Sequence, residues 1–139
     1  MVLYLACPYS HPDPAVREYR YSTANRVASQ LMKAGIVVFS PLSHSVSIAR
    51  HIPAVEMDHR FWMDQDLPLL RRSDELLIIG LDGWTKSQGV KSEMFEAMAN
   101  AKPITLVEEA DIERLPKIPK SSKRFLKSHI FTEFIDDVQ

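Results

Sequence analysis

Four short apolar runs punctuate the chain, and longer helical patterns separate them. Val2 to Ala6 is rich in β-formers and closes on Cys7-Pro8. Ile36 to Phe39 follows Gly35, Leu76 to Ile79 ends at Gly80, and Ile104 to Val107 is entered through Pro103. Runs this short, free of charged residues and bounded by glycine or proline, fit strands buried on both faces of a parallel sheet. From Pro14 to Ala34 the apolar residues Ala24, Val27, Ala28, Leu31 and Met32 recur at helical spacing, with Asp13 as N-cap, Pro14 in the first turn and Gly35 as the stop. A second helical region covers about Val55 to Arg72. Pro68 interrupts it, because the amide that would bond to the carbonyl of Asp64 is missing, and a kink or restart with Asp66 as its N-cap is expected. A third helix runs from about Gly89 to Ala101.

Alternating strands and helices imply one α/β domain over residues 1–139. Its expected architecture is a flavodoxin-like, doubly wound parallel sheet of four or five strands, with a core over about 2–107. Residues 108–139 form an extension expected to pack on that core. There Lys117, Lys120, Lys123, Arg124 and Lys127 make a basic run, and Phe125, Ile130, Phe131, Phe134 and Ile135 can dock on the sheet. The basic run reads first as a solvated face.

Composition narrows the function classes. The 139 residues are 45% apolar and 25% charged, an ordinary globular mix. Seventeen basic against eighteen acidic residues leave a charge of −1, which argues against nucleic acid as a partner. One cysteine, Cys7, excludes an internal disulfide and a CxxC motif. The N-terminal stretch lacks a signal-peptide pattern, and no apolar run approaches the roughly 18 residues of a membrane span, so a cytoplasmic protein is expected. His11, His44, His51, His59 and His129 show no tight ligand spacing, so no metal is expected. With four glycines and no GxGxxG, GxxxxGK[ST] or GxSxG, the usual cofactor cradles and serine hydrolases lose support. Cys7 has no clear histidine and acid partners.

Ligands of open α/β sheets bind beyond the carboxyl ends of the strands. The loops there begin at Cys7, Ser40, Leu81 and Glu108; CPYSHPDP and LDGWTKSQG carry site-like residues. Tyr9 and Trp84 can stack on a base or simply anchor their loops. At ~100° per residue, Val90, Met94, Ala97 and Ala101 form the buried stripe of the third helix, with Glu93 about 70° and Glu96 about 130° from its centre. Glu93 therefore belongs at the cleft rim, and Glu96 in water. The helix dipole is expected to keep Glu93 ionised, fit for a nucleophile or base, unless it merely complements that dipole. Asp66, Asp64 and Asp74 compete as its partner carboxylate, and spacing does not decide among them. Glycosidic cleavage uses two such acids in unlike environments.

Several of these segments resemble the nucleoside 2-deoxyribosyltransferase superfamily. Tyr4-Leu5-Ala6-Cys7-Pro8-Tyr9 is similar to its first strand, Asp64-Gln65-Asp66-Leu67 with Ser73-Asp74 to its acidic helix, and Gly89-Val90-Lys91-Ser92-Glu93 with Ala97 and Lys102-Pro103-Ile104 to its G-x-x-x-E-x-x-x-A segment. With Gly83, Trp84 and Ser87, the match covers about residues 2–107 and looks most like a short branch of that superfamily. The resemblance implies N-glycosidic bond cleavage without a cofactor. It implies Glu93 at the anomeric carbon, Asp66 assisting the leaving base or the sugar, and Tyr4 positioning the glutamate. Pro8, Tyr9, Trp84, Ser87 and Gly89 would contact the substrate. Members acting on free nucleosides carry an aspartate six residues before the glutamate. Ser87 stands there, as in the nucleotide-hydrolysing branch, which points to a 5′-monophosphate. The usual glycine after the glutamate is absent, since Met94-Phe95-Glu96 follows. Members commonly complete the site across subunits, so a homo-oligomer with outward-facing Phe95 at a contact is expected. Transfer from free nucleosides, or a nucleotide-binding module without turnover, are the alternatives.

Overall fold

The computed structural model describes residues 1–118. The basic residues from Lys120 onward and the apolar residues from Phe125 lie outside them. Four strands, β1 (Val2–Ala6), β2 (Val37–Phe39), β3 (Glu75–Gly80) and β4 (Ile104–Glu108), form one parallel sheet in the order β2-β1-β3-β4. This is the expected flavodoxin-like arrangement. The chain leaves β1 toward one edge and β3 toward the other, so the crevice between their carboxyl ends is the topological switch point.

Strand parity decides what each face carries. Leu3 and Leu5 point to the face covered by α1 (Pro14–Lys33), where they meet Ala24, Val27, Ala28 and Leu31. Ile112, Leu115 and Ile118, which follow β4 through a 3-10 segment, close the same layer. Tyr4 and Ala6 point to the opposite face, covered by α3 (His59–Arg71) and α4 (Gln88–Ala99) through Leu70, Val90 and Ala97. Buried chains on both faces explain why the strands read as nearly continuous apolar runs. Among the described residues no helix is long and apolar enough to cross a membrane.

Three expectations need correction. Ser40 opens no loop: it precedes a helix, α2 (Pro41–Ala49), with proline in its first turn. The second helical region starts at His59, after a separate 3-10 turn at Ala54–Glu56, and runs unbroken through Pro68. Its cap is therefore Asp58, whose carboxylate accepts from the Phe61 amide at 2.8 Å, while Asp66 sits mid-helix. Proline is tolerated because the carbonyl it leaves unpaired belongs to exposed Asp64 and only the last turn follows. Ala101 lies beyond α4 at φ 52° and is exposed, outside the buried stripe. Asp58→Ala is expected to lower unfolding free energy by about 1 kcal/mol, read as a shifted urea midpoint at constant slope.

Candidate active site

Tyr4 is fully buried on β1, its ring tilted against Phe39 at 5.8 Å. Phe39 in turn lies 5.8 Å from the ring of His44, in the first turns of α2. Asp66 and Glu93 approach from the other side, on α3 and α4. Two contacts tie those helices together: His59 Nε2 lies 3.1 Å from Ser92 Oγ, and Arg71 pairs with Glu96. Glu96 is thus half-buried against an arginine rather than free in water.

Glu93 sits deeper than a cleft rim, only 5% exposed. Burial, with the nearby Asp66 charge adding to it, pushes its pKa up to about 8. The expectation of an ionised glutamate is therefore corrected. Glu93 lies past the first turn of α4, where the dipole has faded, and desolvation wins. The Tyr4 hydroxyl favours the ionised glutamate, yet neither that hydroxyl nor Glu93 Oε2 has a hydrogen bond of good geometry within the protein. Burial first, then the charges of Glu93 and Asp66, raise the phenol far above its ordinary value, so Tyr4 stays protonated. Asp66 is half-buried, and burial lifts it to about 6 against the opposing pull of His44. Asp64 and Asp74 separate from this group: Asp64 is exposed beside Arg60, and Asp74 accepts from the Val2 amide at 2.6 Å.

Ser87 caps α4, its Oγ accepting from the Val90 amide at 3.2 Å. A β-carbon placed on Gly89 would lie 3.7 Å from Glu93 Oε1, 3.8 Å from Ser87 Oγ and 3.9 Å from Met63 Cε. The bare glycine thus keeps open the small volume these groups share. Trp84 packs partly buried on the same core, its Nε1 3.6 Å from the β-carbon position of Gly80. Pro8 is buried, with its carbonyl accepting from the Cys7 thiol at 3.4 Å. Tyr9 is half-buried and bonded through its carbonyl to Arg20, not to the carboxyl pair. Burial pushes the Cys7 thiol up to about 12 despite Arg20, which leaves it inert as a nucleophile. Phe95 faces outward, 66% exposed. Among the described residues no cluster of three or more histidine, cysteine or acidic side chains can hold a metal. A separate cavity of about 350 Å³, lined by His11, Tyr19, Arg20, Asp82 and Glu109, opens at the same strand ends on the α1 side.

The structure thus gathers Tyr4, Asp66 and Glu93, with Gly89 and Ser87 beside them. It adds His44, Phe39 and Met63, which the sequence reading passed over. The Ser40-Pro41 pair, a common helix opening, was the available signal for the helix that brings His44 in.

A parallel sheet in this order with helices on both faces is a flavodoxin-like α/β fold, and the acidic pair lies at its switch point. A solved 2-deoxyribosyltransferase from the psychrotolerant bacterium Bacillus psychrosaccharolyticus superposes with a TM-score of 0.57 at 19% identity, over 97% of this chain and 82% of that one. The chain belongs to the family described as domain of unknown function DUF1937, which it matches over residues 1–109. No curated protein sequence matches it.

Proposed function

We propose that the protein cleaves the N-glycosidic bond of a (deoxy)nucleoside 5′-monophosphate. One observation carries the reading: two carboxyl groups of unlike environment, Glu93 enclosed and Asp66 half-open, converge beside a phenol that cannot ionise. That is the pairing glycosidic chemistry needs, one carboxyl at the sugar carbon and one at the departing base. The structural neighbour named as a 2-deoxyribosyltransferase agrees with it. In the free protein the pair holds its last proton on Glu93. The reactive form is the minor one in which that proton has passed from Glu93 to Asp66: as the C–N bond lengthens, ionised Glu93 faces the positive charge growing on the sugar, and Asp66 hands the same proton to the departing base. Water as acceptor makes a hydrolase, and a second base makes a transferase.

Ser87 supports the monophosphate. Its Oγ accepts from Val90, so its own proton is left to donate, beside the first amides of α4 and near exposed Lys86 and Lys91 in sequence. Ser87→Ala is expected to raise KM for a monophosphate about tenfold, the value of one charge-assisted hydrogen bond, and to leave KM for the matching nucleoside nearly unchanged. The deciding experiment is chromatography of base released from ribo- and deoxyribonucleoside monophosphates, each beside its nucleoside, with Glu93→Ala as control. Release lost in the variant supports the reading. Equal or faster turnover of free nucleosides overturns the monophosphate. A second reading, a nucleotide-binding module, draws on the proton Glu93 keeps at neutral pH. It requires that nucleotide raise the melting temperature and stay intact overnight.

A further inference from the structure

We propose that Arg20 is a positioning residue for this reaction, clasping the loop after β1 to the loop after β3 and so setting the two sides of the cleft relative to each other. The kinetic part of the proposal rests on the function proposed above; the structural part does not.

Arg20 is on α1, on the sheet face opposite the carboxyl pair, and only 7% exposed. It is in none of the ion pairs found among the described residues. Its guanidinium donates to main-chain carbonyls instead: Nη1 to Ser10 at 2.9 Å and to Tyr9 at 3.4 Å, Nη2 to Asp82 at 2.9 Å. Tyr9 and Ser10 belong to the segment that follows β1. Asp82 belongs to the segment that follows β3 and carries Trp84 and Ser87. These are the two loops that flank the switch point.

Two further contacts show how closely the loops are fitted to this side chain. Gly83 turns at φ +81°, a backbone conformation that favours glycine, and a β-carbon there would lie 3.0 Å from Arg20 Nη2, so the chain passes close to the guanidinium. The Cys7 sulfur also lies 3.6 Å from the carbonyl of Arg20, sharing its one proton between that oxygen and the carbonyl of Pro8, so the start of the first loop rests against the same residue. A largely buried cation whose hydrogen bonds all go to carbonyls is costly even at the edge of a cavity, where an apolar side chain avoids the desolvation penalty. What an apolar side chain cannot do is bridge two loops in a fixed orientation. Lysine carries its three donors on one nitrogen of a flexible stem, so it lacks the two separate, rigidly held nitrogens from which Arg20 reaches Ser10 and Asp82. Arg20 thereby acts through the loops bearing Pro8, Tyr9, Trp84 and Ser87, and bonds to none of Tyr4, Asp66 or Glu93.

The test uses the full chain with Trp62→Phe, so that Trp84 alone fluoresces, and compares Arg20→Lys, Arg20→Ala and wild type at position 20. In Arg20→Lys, amide exchange over residues 9–13 and 83–87 is expected to quicken at least tenfold and Trp84 emission to move to the red, while the β1 and β3 amides keep their protection. Nucleotide kcat/KM is expected to fall about 10- to 100-fold, mainly through KM, the scale of a small misplacement of binding groups. Low-millimolar guanidinium, but not sodium, should restore loop protection to Arg20→Ala. Unchanged loop exchange and emission in Arg20→Lys would overturn the clasp. So would exchange that quickens equally across the whole domain with kcat/KM per folded molecule intact, which is a purely structural role. If the wild type releases no base from any nucleotide, the proposed function fails, and the exchange and emission measurements still decide the clasp.

Discussion

Glu93→Gln should stop turnover and at the same time reduce the loss of stability that the wild type shows on going from mildly acidic to mildly alkaline pH, leaving the smaller part due to Asp66. The folded carboxyl has its pKa raised from 4.5 to about 8. Between those values the folded protein keeps a proton that the unfolded chain gives up. Stability that is fully present below the unfolded value is therefore lost as pH rises toward the folded one. Integrated over that window, the shift amounts to about 4 kcal/mol. Glutamine has no proton to lose, so the variant's advantage over wild type should grow by about that much from pH 4.5 to 8. Urea unfolding at a series of pH values measures it. Activity should fall by about 10³-fold or more, the usual consequence of removing a group that acts directly on the reacting bond. Parallel stability curves for the two proteins would mean that Glu93 is not held protonated. Retained base release would remove it from the chemistry.

The sheet was legible because strands covered on both faces must be apolar along their whole length, whereas the face that Tyr4 shares with the carboxyl pair emerges only from the packing. Glu93 was legible as a residue but not in its depth. A helical wheel of α4 alone puts it at the boundary, and only the packing of α3 across that flank encloses it. Asp66 was misread as a cap because Pro68 suggested a break. The capped start at Asp58 and the contacts with α4 hold the helix through it, which leaves Asp66 mid-helix with no backbone task. His44 was missed for a different reason. In α2 the apolar Leu42, Val46 and Ile48 alternate with serines and show no clean helical stripe, so the chain after β2 reads as a loop. Two residues separated widely in sequence thus meet only through tertiary packing, which no local pattern encodes.

Asp66→Asn should lower turnover and, by the same substitution, make Glu93 easier to ionise. With Asp66 lifted to about 6 and Glu93 to about 8, the free protein loses its first proton mainly from Asp66. The two groups titrate as a pair, and kcat/KM should follow a bell with limbs near those values. The form in which Glu93 is ionised and Asp66 protonated, the one that can attack and donate, is then a minor form of the singly protonated pair. Asparagine removes the acid, at an expected cost of about 10²- to 10⁴-fold in kcat on substrates whose base needs protonation. It also removes the charge that helps to raise Glu93. The acid-side limb that remains, set by Glu93 alone, should therefore lie below pH 8, and the alkaline fall-off should vanish. Substrates with an activated leaving base should lose least. If azide restores turnover to Glu93→Ala but not to Asp66→Ala, Glu93 is the group at the sugar carbon. The reverse pattern would exchange the two roles, which the resting protonation order alone permits, and would make the buried glutamate the proton donor.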